Sequence, residues 1–147
     1  MLDFLDDLNA VSVCYVVNID DHALGTFHSV DGLGCEFVME TREEGGNNGV
    51  VWQLPTRLKY SNVKLTRPVS AYSSQITKWF ASQAKGIQRK TATIEARTLA
   101  GITIAKWSLI DVVPVRWSGP QLSPDQSKPA TETLELAHHG FISDGLF

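Results

Sequence analysis

Every second residue from Val11 to Ile19 is β-branched or aromatic (Val11, Val13, Tyr15, Val17, Ile19), the pattern of a strand with one buried face. Asp20-Asp21 then turns the chain, Ala23 to Val30 returns antiparallel, and Asp31-Gly32 turns it again. Cys35 to Glu40, with Cys35, Phe37 and Met39 on one face, completes an expected β-meander. Val50 to Leu54 and Asn62 to Arg67 read as further strands flanking a basic bend at Pro55 to Tyr60, and Pro68 ends the run. Strand signals return at Lys90 to Arg97, Ile102 to Ile110, Val112 to Trp117 and Thr131 to His138. Within Ile102 to Ile110 the large apolar residues change face between Ile104 and Trp107, which predicts a bulge near Ala105-Lys106.

The period switches to a helical one once. Tyr72, Ile76, Trp79, Phe80 and Gln83 fall on one face of a helix over about 72–85, with Ser70 or Ser73 to cap its start and Gly86 to end it. Many strands and a single amphipathic helix predict a mainly β fold: an antiparallel β-sandwich or open barrel with the helix on one side. The 147 residues suit one domain spanning 1–147, with an N-terminal arm (1–9), a polar loop (41–49) and a C-terminal tail (141–147).

Several function classes are disfavoured. A net charge of −3 gives no general attraction to nucleic acid or anionic lipid. The first eight residues carry three Asp where a secretory signal needs positive charge, and no apolar run reaches spanning length, so a cytoplasmic chain without a membrane anchor is expected. Cys14 and Cys35 are too few for a disulfide scaffold and read as two free, buried thiols.

The residues that could carry chemistry do not assemble into a motif. His22, His28, His138 and His139 lack zinc-site spacing, and neighbours such as His138 and His139 would point to opposite faces of a strand. Asp20-Asp21 and Glu43-Glu44 lie in turn or loop sequence with no apolar setting to raise a carboxyl pKa. Gly45-Gly46 and Gly32-Leu33-Gly34 lack the Lys-Ser or Lys-Thr of a phosphate loop. Trp52, Trp79, Trp107 and Trp117 read as core or interface rather than as a ligand pocket. No catalytic, metal or cofactor-binding residue is assigned, and no cofactor is implied.

One polar stretch does stand out. Thr41-Arg42-Glu43-Glu44-Gly45-Gly46-Asn47-Asn48-Gly49 contains no apolar residue, and is expected to be a long loop that orders on meeting a partner. Together with Arg57, Lys59, Lys64 and Arg67 it offers both signs of charge to a neighbouring copy, including Asp6 and Asp7. A solvated loop with scattered surface charge is the alternative reading.

Six ordered segments resemble the tail tube proteins of contractile phage tails and of extracellular contractile injection systems. They are Phe27 to Leu33, Thr41 to Gly46, Leu54-Pro55-Thr56-Arg57-Leu58-Lys59-Tyr60-Ser61-Asn62-Val63-Lys64-Leu65, Gly86 to Lys90, Pro114-Val115-Arg116-Trp117-Ser118-Gly119-Pro120, and Glu132 to Gly140. Thr56 and Pro68 stand where relatives often have glycine, and Phe141 to Phe147 runs past the usual end. The resemblance implies hexameric rings that stack helically into a hollow tube inside a contractile sheath, with a baseplate hub or spike and a tube terminator as further partners. Protein effector or DNA would be the cargo, and the tube would perform no chemical step. Carried over by position, Thr41 to Lys59 reaches the adjacent ring through Thr41, Arg42, Glu43, Glu44, Gly45, Gly46, Asn47, Asn48, Arg57 and Lys59. Leu2, Phe4, Leu5, Asp6 and Asp7 of the N-terminal arm are available for axial contacts. The competing readings are a monomeric ligand-binding β-barrel and a hydrolase built on His28 or His138.

Overall fold

A computed structural model describes residues 13–20, 22–43, 45, 49–120, 123–124 and 130–142. In chain order the elements are β1 (Val13–Ile19), β2 (His22–Phe27), β3 (Ser29–Asp31), β4 (Cys35–Glu43), β5 (Val51–Tyr60), β6 (Val63–Pro68), α1 (Ser73–Lys85), β7 (Lys90–Thr98), β8 (Thr103–Ser118), β9 (Thr131–Ala137) and β10 (Phe141–Ile142).

The main sheet is antiparallel and runs β2-β1-β7-β8-β9-β6-β3, with β10 also on β8, while β4 and β5 form a separate two-stranded sheet. β2 and β3, at opposite ends of the order, are consecutive in the chain, so the sheet curls round until its ends meet. The His28 N–H donates to Thr66 O at 3.0 Å at that seam. The Arg67 guanidinium lies 4.3 Å from the centre of the Phe27 ring there and also donates to Leu24 O, so Arg67 is enclosed and, contrary to expectation, is not offered to a neighbouring copy. The result is the expected sandwich or open barrel.

β8 links the two halves of the sheet. Its first half pairs with β7 and its second half with β9, so one strand belongs to both halves of the fold. The expected strands Ile102 to Ile110 and Val112 to Trp117 are therefore one bent strand. Extra residues interrupt its ladders at Ile104, near Asp111 and at Val115, and Asp111 takes the left-handed backbone (φ 53°) that such a kink requires. The bulge at Ile104 sits beside the position predicted from the change of face.

The core draws on both halves and on the helix: Val17, Ile19, Leu24, Phe27, Val63, Leu65, Ile76, Trp79, Ile94, Leu109, Leu134 and Leu136 are all enclosed. Ile76, Trp79 and Gln83 recur at helical spacing and form the buried stripe of α1. Gln83 closes the helix end by donating to Gln88 O at 3.0 Å and accepting from the Gln88 N–H at 2.9 Å.

Some expectations need correction. The cap position is Tyr72, without a side-chain cap bond, and Ser70 and Ser73 instead bond the turn before it, while Gly86 ends the helix as expected. Tyr72 itself is exposed. The meander stops after β2, because Ser29–Asp31 pairs with β6 and Cys35–Glu43 pairs with β5. Cys35 is exposed and Cys14 half-buried, so the thiols are not both core groups. Trp79 is the enclosed tryptophan, Trp107 and Trp117 pack partly buried against the core, and Trp52 is exposed. His138 is buried and His139 is not.

Candidate assembly interface

Strand alternation explains why the β4–β5 hairpin has two unlike faces. Directly opposed residues share a face. One face carries Cys35 with Tyr60, Phe37 with Leu58, and Met39 with Pro55, then Thr41 with Gln53 and Glu43 with Val51. The other carries Glu36 with Lys59, Val38 with Arg57, Glu40 with Leu54, and Arg42 with Trp52. Thr56 is the extra residue of a bulge, and its hydroxyl donates to Val38 O at 2.6 Å. The first face is largely apolar and the second mixes charge with apolar ends. Glu40 and Arg42, on the charged face, approach to 3.7 Å.

The apolar face is uncovered. Phe37 is 57% exposed, Met39 46%, Val51 57% and Leu58 41%. Fully burying an exposed side chain of this size gains about 1.5–3 kcal/mol, and these are about half covered already, so enclosing each gains about 1 kcal/mol and the face together still drives association. Among the described residues, each hairpin strand also has only the other as a ladder neighbour, leaving two outer edges able to accept further strands.

The base of the hairpin is fixed. The Tyr60 ring centre lies 5.4 Å from that of His138 and 5.7 Å from that of Phe141. Ser61 Oγ donates to Gly32 O at 2.7 Å, and Asn62 Nδ2 donates to Glu135 Oε1 at 3.1 Å. Gly32 (φ 90°) has no room for a side chain, since a Cβ there would lie 2.0 Å from Asn62 O. His138 accepts from the Gly140 N–H through Nδ1 at 3.2 Å, and burial lowers its pKa below the ordinary 6.5. A rigid root and an uncovered blade are suited to holding a second copy in fixed register.

The positions expected from sequence separate into three groups. Thr41, Arg42 and Glu43 are the exposed end of β4, and Gly45 is an exposed turn residue. Arg57 and Lys59 lie on the charged face with Glu36 and Arg42. Glu44, Gly46, Asn47 and Asn48, and Leu2, Phe4, Leu5, Asp6 and Asp7, lie outside the described residues. The basic bend at Pro55 to Tyr60 does not exist: β5 continues through it, and Pro55 is accommodated beside the bulge on a strand with a single neighbour. The expected loop is correspondingly shorter, since strand pairing extends to Glu43 and resumes at Val51. Sequence alone does not single out Phe37, Met39 and Leu58 as candidate contacts. The signal that could find them is the apolar residues spaced along 35–43 and 51–60, two segments of similar length flanking the polar stretch.

The profile of the T4-like virus tail tube protein gp19 family matches residues 11–142. The chain belongs to that family. No curated protein matches its sequence. Among solved structures, the tail tube chain resembles one in the baseplate of the anti-feeding prophage (TM-score 0.73, 18% identity, 90% of this chain and 91% of that one). A chain of the PVC extracellular contractile injection system sheath–tube complex in its extended state is similar (TM-score 0.73, 21% identity, 87% and 86%). Hcp1 of Flavobacterium johnsoniae is more distant (TM-score 0.50, 11% identity, 85% and 89%). At these identities the structural likeness is one of fold, and the family assignment rests on the sequence match.

Proposed function

We propose that this tail tube protein is a passive structural subunit: copies join into hexameric rings, and the rings stack into a hollow inner tube within a contractile sheath. The observation that carries this reading is the β4–β5 hairpin, with its uncovered apolar face and, among the described residues, two unpaired edges. In a ring, each blade lies against the next copy and Phe37, Met39 and Leu58 leave water. The charged face, with Glu36, Glu40, Arg42, Arg57 and Lys59, is then left for the contact with the adjacent ring. Strands contributed by six copies exceed the roughly 16–18 that already enclose an aqueous channel.

The wider machine follows from the family and from the sheath, baseplate and terminating-cap assemblies that contain similar chains. Its partners are further copies of itself, a sheath protein, a baseplate hub or spike and a tube terminator, with protein effector or DNA as cargo. The subunit is made in the cytoplasm and leaves as part of a released particle, and it catalyses no reaction. A ligand-binding barrel gains no support, because Trp79, Phe27 and their neighbours fill the interior of the curled main sheet.

Native mass spectrometry tests the ring. A species of six protomers that is lost in Leu58→Lys supports it. A chain that stays monomeric at high concentration, and also when co-expressed with a baseplate component, contradicts it.

A further inference from the structure

A second uncovered apolar site lies between α1 and β8, on elements that the β4–β5 hairpin does not include. Phe80 and Ala84 of α1, Ile87 beyond it, and Val113 and Pro114 of β8 line an open groove of about 330 Å³, with Arg89 at its rim. Ile87 is 75% exposed there. The surroundings are one-signed in sequence: from Pro68 to Ile94 there is no acidic residue, while Lys78, Lys85, Arg89 and Lys90 are basic. Asp111, the nearby carboxylate on β8, faces His139 at 3.4 Å, and Arg89 Nη1 donates to the Asp111 backbone oxygen at 3.0 Å.

The first residues of the chain have the complementary pattern. Met1, Phe4, Leu5 and Leu8 recur at a spacing that gathers them on one side at about 100° per residue, with Asp3, Asp6 and Asp7 on the other. No Lys or Arg occurs before Arg42. We propose that the N-terminal segment of one copy lays Phe4, Leu5 and Leu8 into the groove of another copy, with its aspartates against Lys85 and Arg89.

The ladder requires the groove to be another copy's. Val13 pairs with Thr98, at the far end of β7 from Arg89 and Lys90, so the segment emerges about 27 Å from the groove. Leu8 is five residues from Val13 and reaches at most about 18 Å. Donor and acceptor therefore sit at opposite ends of one strand pair, which makes the contact head-to-tail. A head-to-tail contact that does not close propagates as a filament. As a contact between successive rings, this inference rests on the tube reading.

The test is oxidation of a chain carrying Leu8→Cys and Ala84→Cys, with Cys14 and Cys35 replaced by Ser, followed by denaturing gel electrophoresis and electron microscopy of the same sample. A ladder of cross-linked dimers and higher species, absent when Ala84 is kept, is expected. Cross-links confined to single chains, or none at all, overturn the proposal. Tubes without cross-links remove this contact alone, whereas neither tubes nor cross-links remove the tube reading as well. A second measurement uses the native cysteines: Asp6→Lys with Asp7→Lys should weaken end-to-end association about tenfold at low salt, and adding Lys85→Glu and Arg89→Glu should restore it. Unchanged association in the first pair, or no recovery in the second, overturns the charge complementarity.

Discussion

Arg67 and Glu132 form an ion pair inside the fold, Nε to Oε1 at 2.7 Å, with side chains only 2% and 0% exposed. The carboxylate is further held by Ser73 Oγ at 2.8 Å and Trp117 Nε1 at 3.1 Å, so β6, β9, β8 and the start of α1 meet on one group. Removing one partner strands a charge. Glu132→Ala is expected to destabilise the subunit by about 3–5 kcal/mol, and Arg67→Met with Glu132→Leu by less, because the pair is then replaced by apolar volume. Urea melts of the parent chain and the two variants check this, and a double variant less stable than Glu132→Ala would contradict it.

Trp79 fills the centre of the core with no exposed surface. Trp79→Ala should cost about 3–5 kcal/mol, whereas Trp52→Ala, on the exposed hairpin, should leave the melt of the isolated subunit within about 0.5 kcal/mol. Chemical denaturation followed by circular dichroism separates the two positions.

These contrasts show what the sequence could and could not convey. The alternation of Val13 to Ile19 and the helical spacing of Ile76, Trp79 and Gln83 are local signals, and both elements lie where those signals put them. The hairpin was harder to read because Pro55 and the basic residues after it resemble a bend, and only pairing with β4 keeps the strand extended. β8 reads as two strands because Asp111 and Pro114 are breakers, which here produce curvature rather than an end. Cys35, Phe37 and Met39 alternate like a core strand, and alternation does not say whether the apolar face meets its own sheet or another copy. The polar segment 41–49 was legible as a candidate contact through composition, but its apolar neighbours were not.

Stability should fall on mild acidification because of His138. Its folded-state pKa lies below the ordinary 6.5, chiefly through burial, so the unfolded chain takes up a proton first. The contribution is complete above about pH 6.5 and declines as pH falls from there towards the folded-state value. Equilibrium melts between pH 8 and 5, compared with His138→Phe, should show a smaller loss in the variant; equal losses would assign the acid sensitivity to other groups.

Deleting Glu44 to Asn48 shortens the connection between β4 and β5 without touching their ladder from Cys35 to Glu43. The expected outcome is a subunit with an unchanged thermal melt that forms rings but not long tubes, read by sedimentation and microscopy. Long tubes from this variant would remove the segment from the stacking contact.

The central claim is that this chain builds a hollow tube from six-membered rings, and negative-stain electron microscopy of the purified protein, alone and co-expressed with a baseplate component, tests it most directly. The account predicts six-fold rings or hollow tubes, lost in Phe37→Glu and Leu58→Lys while each variant keeps its fold. Isolated monomers under both conditions would contradict it.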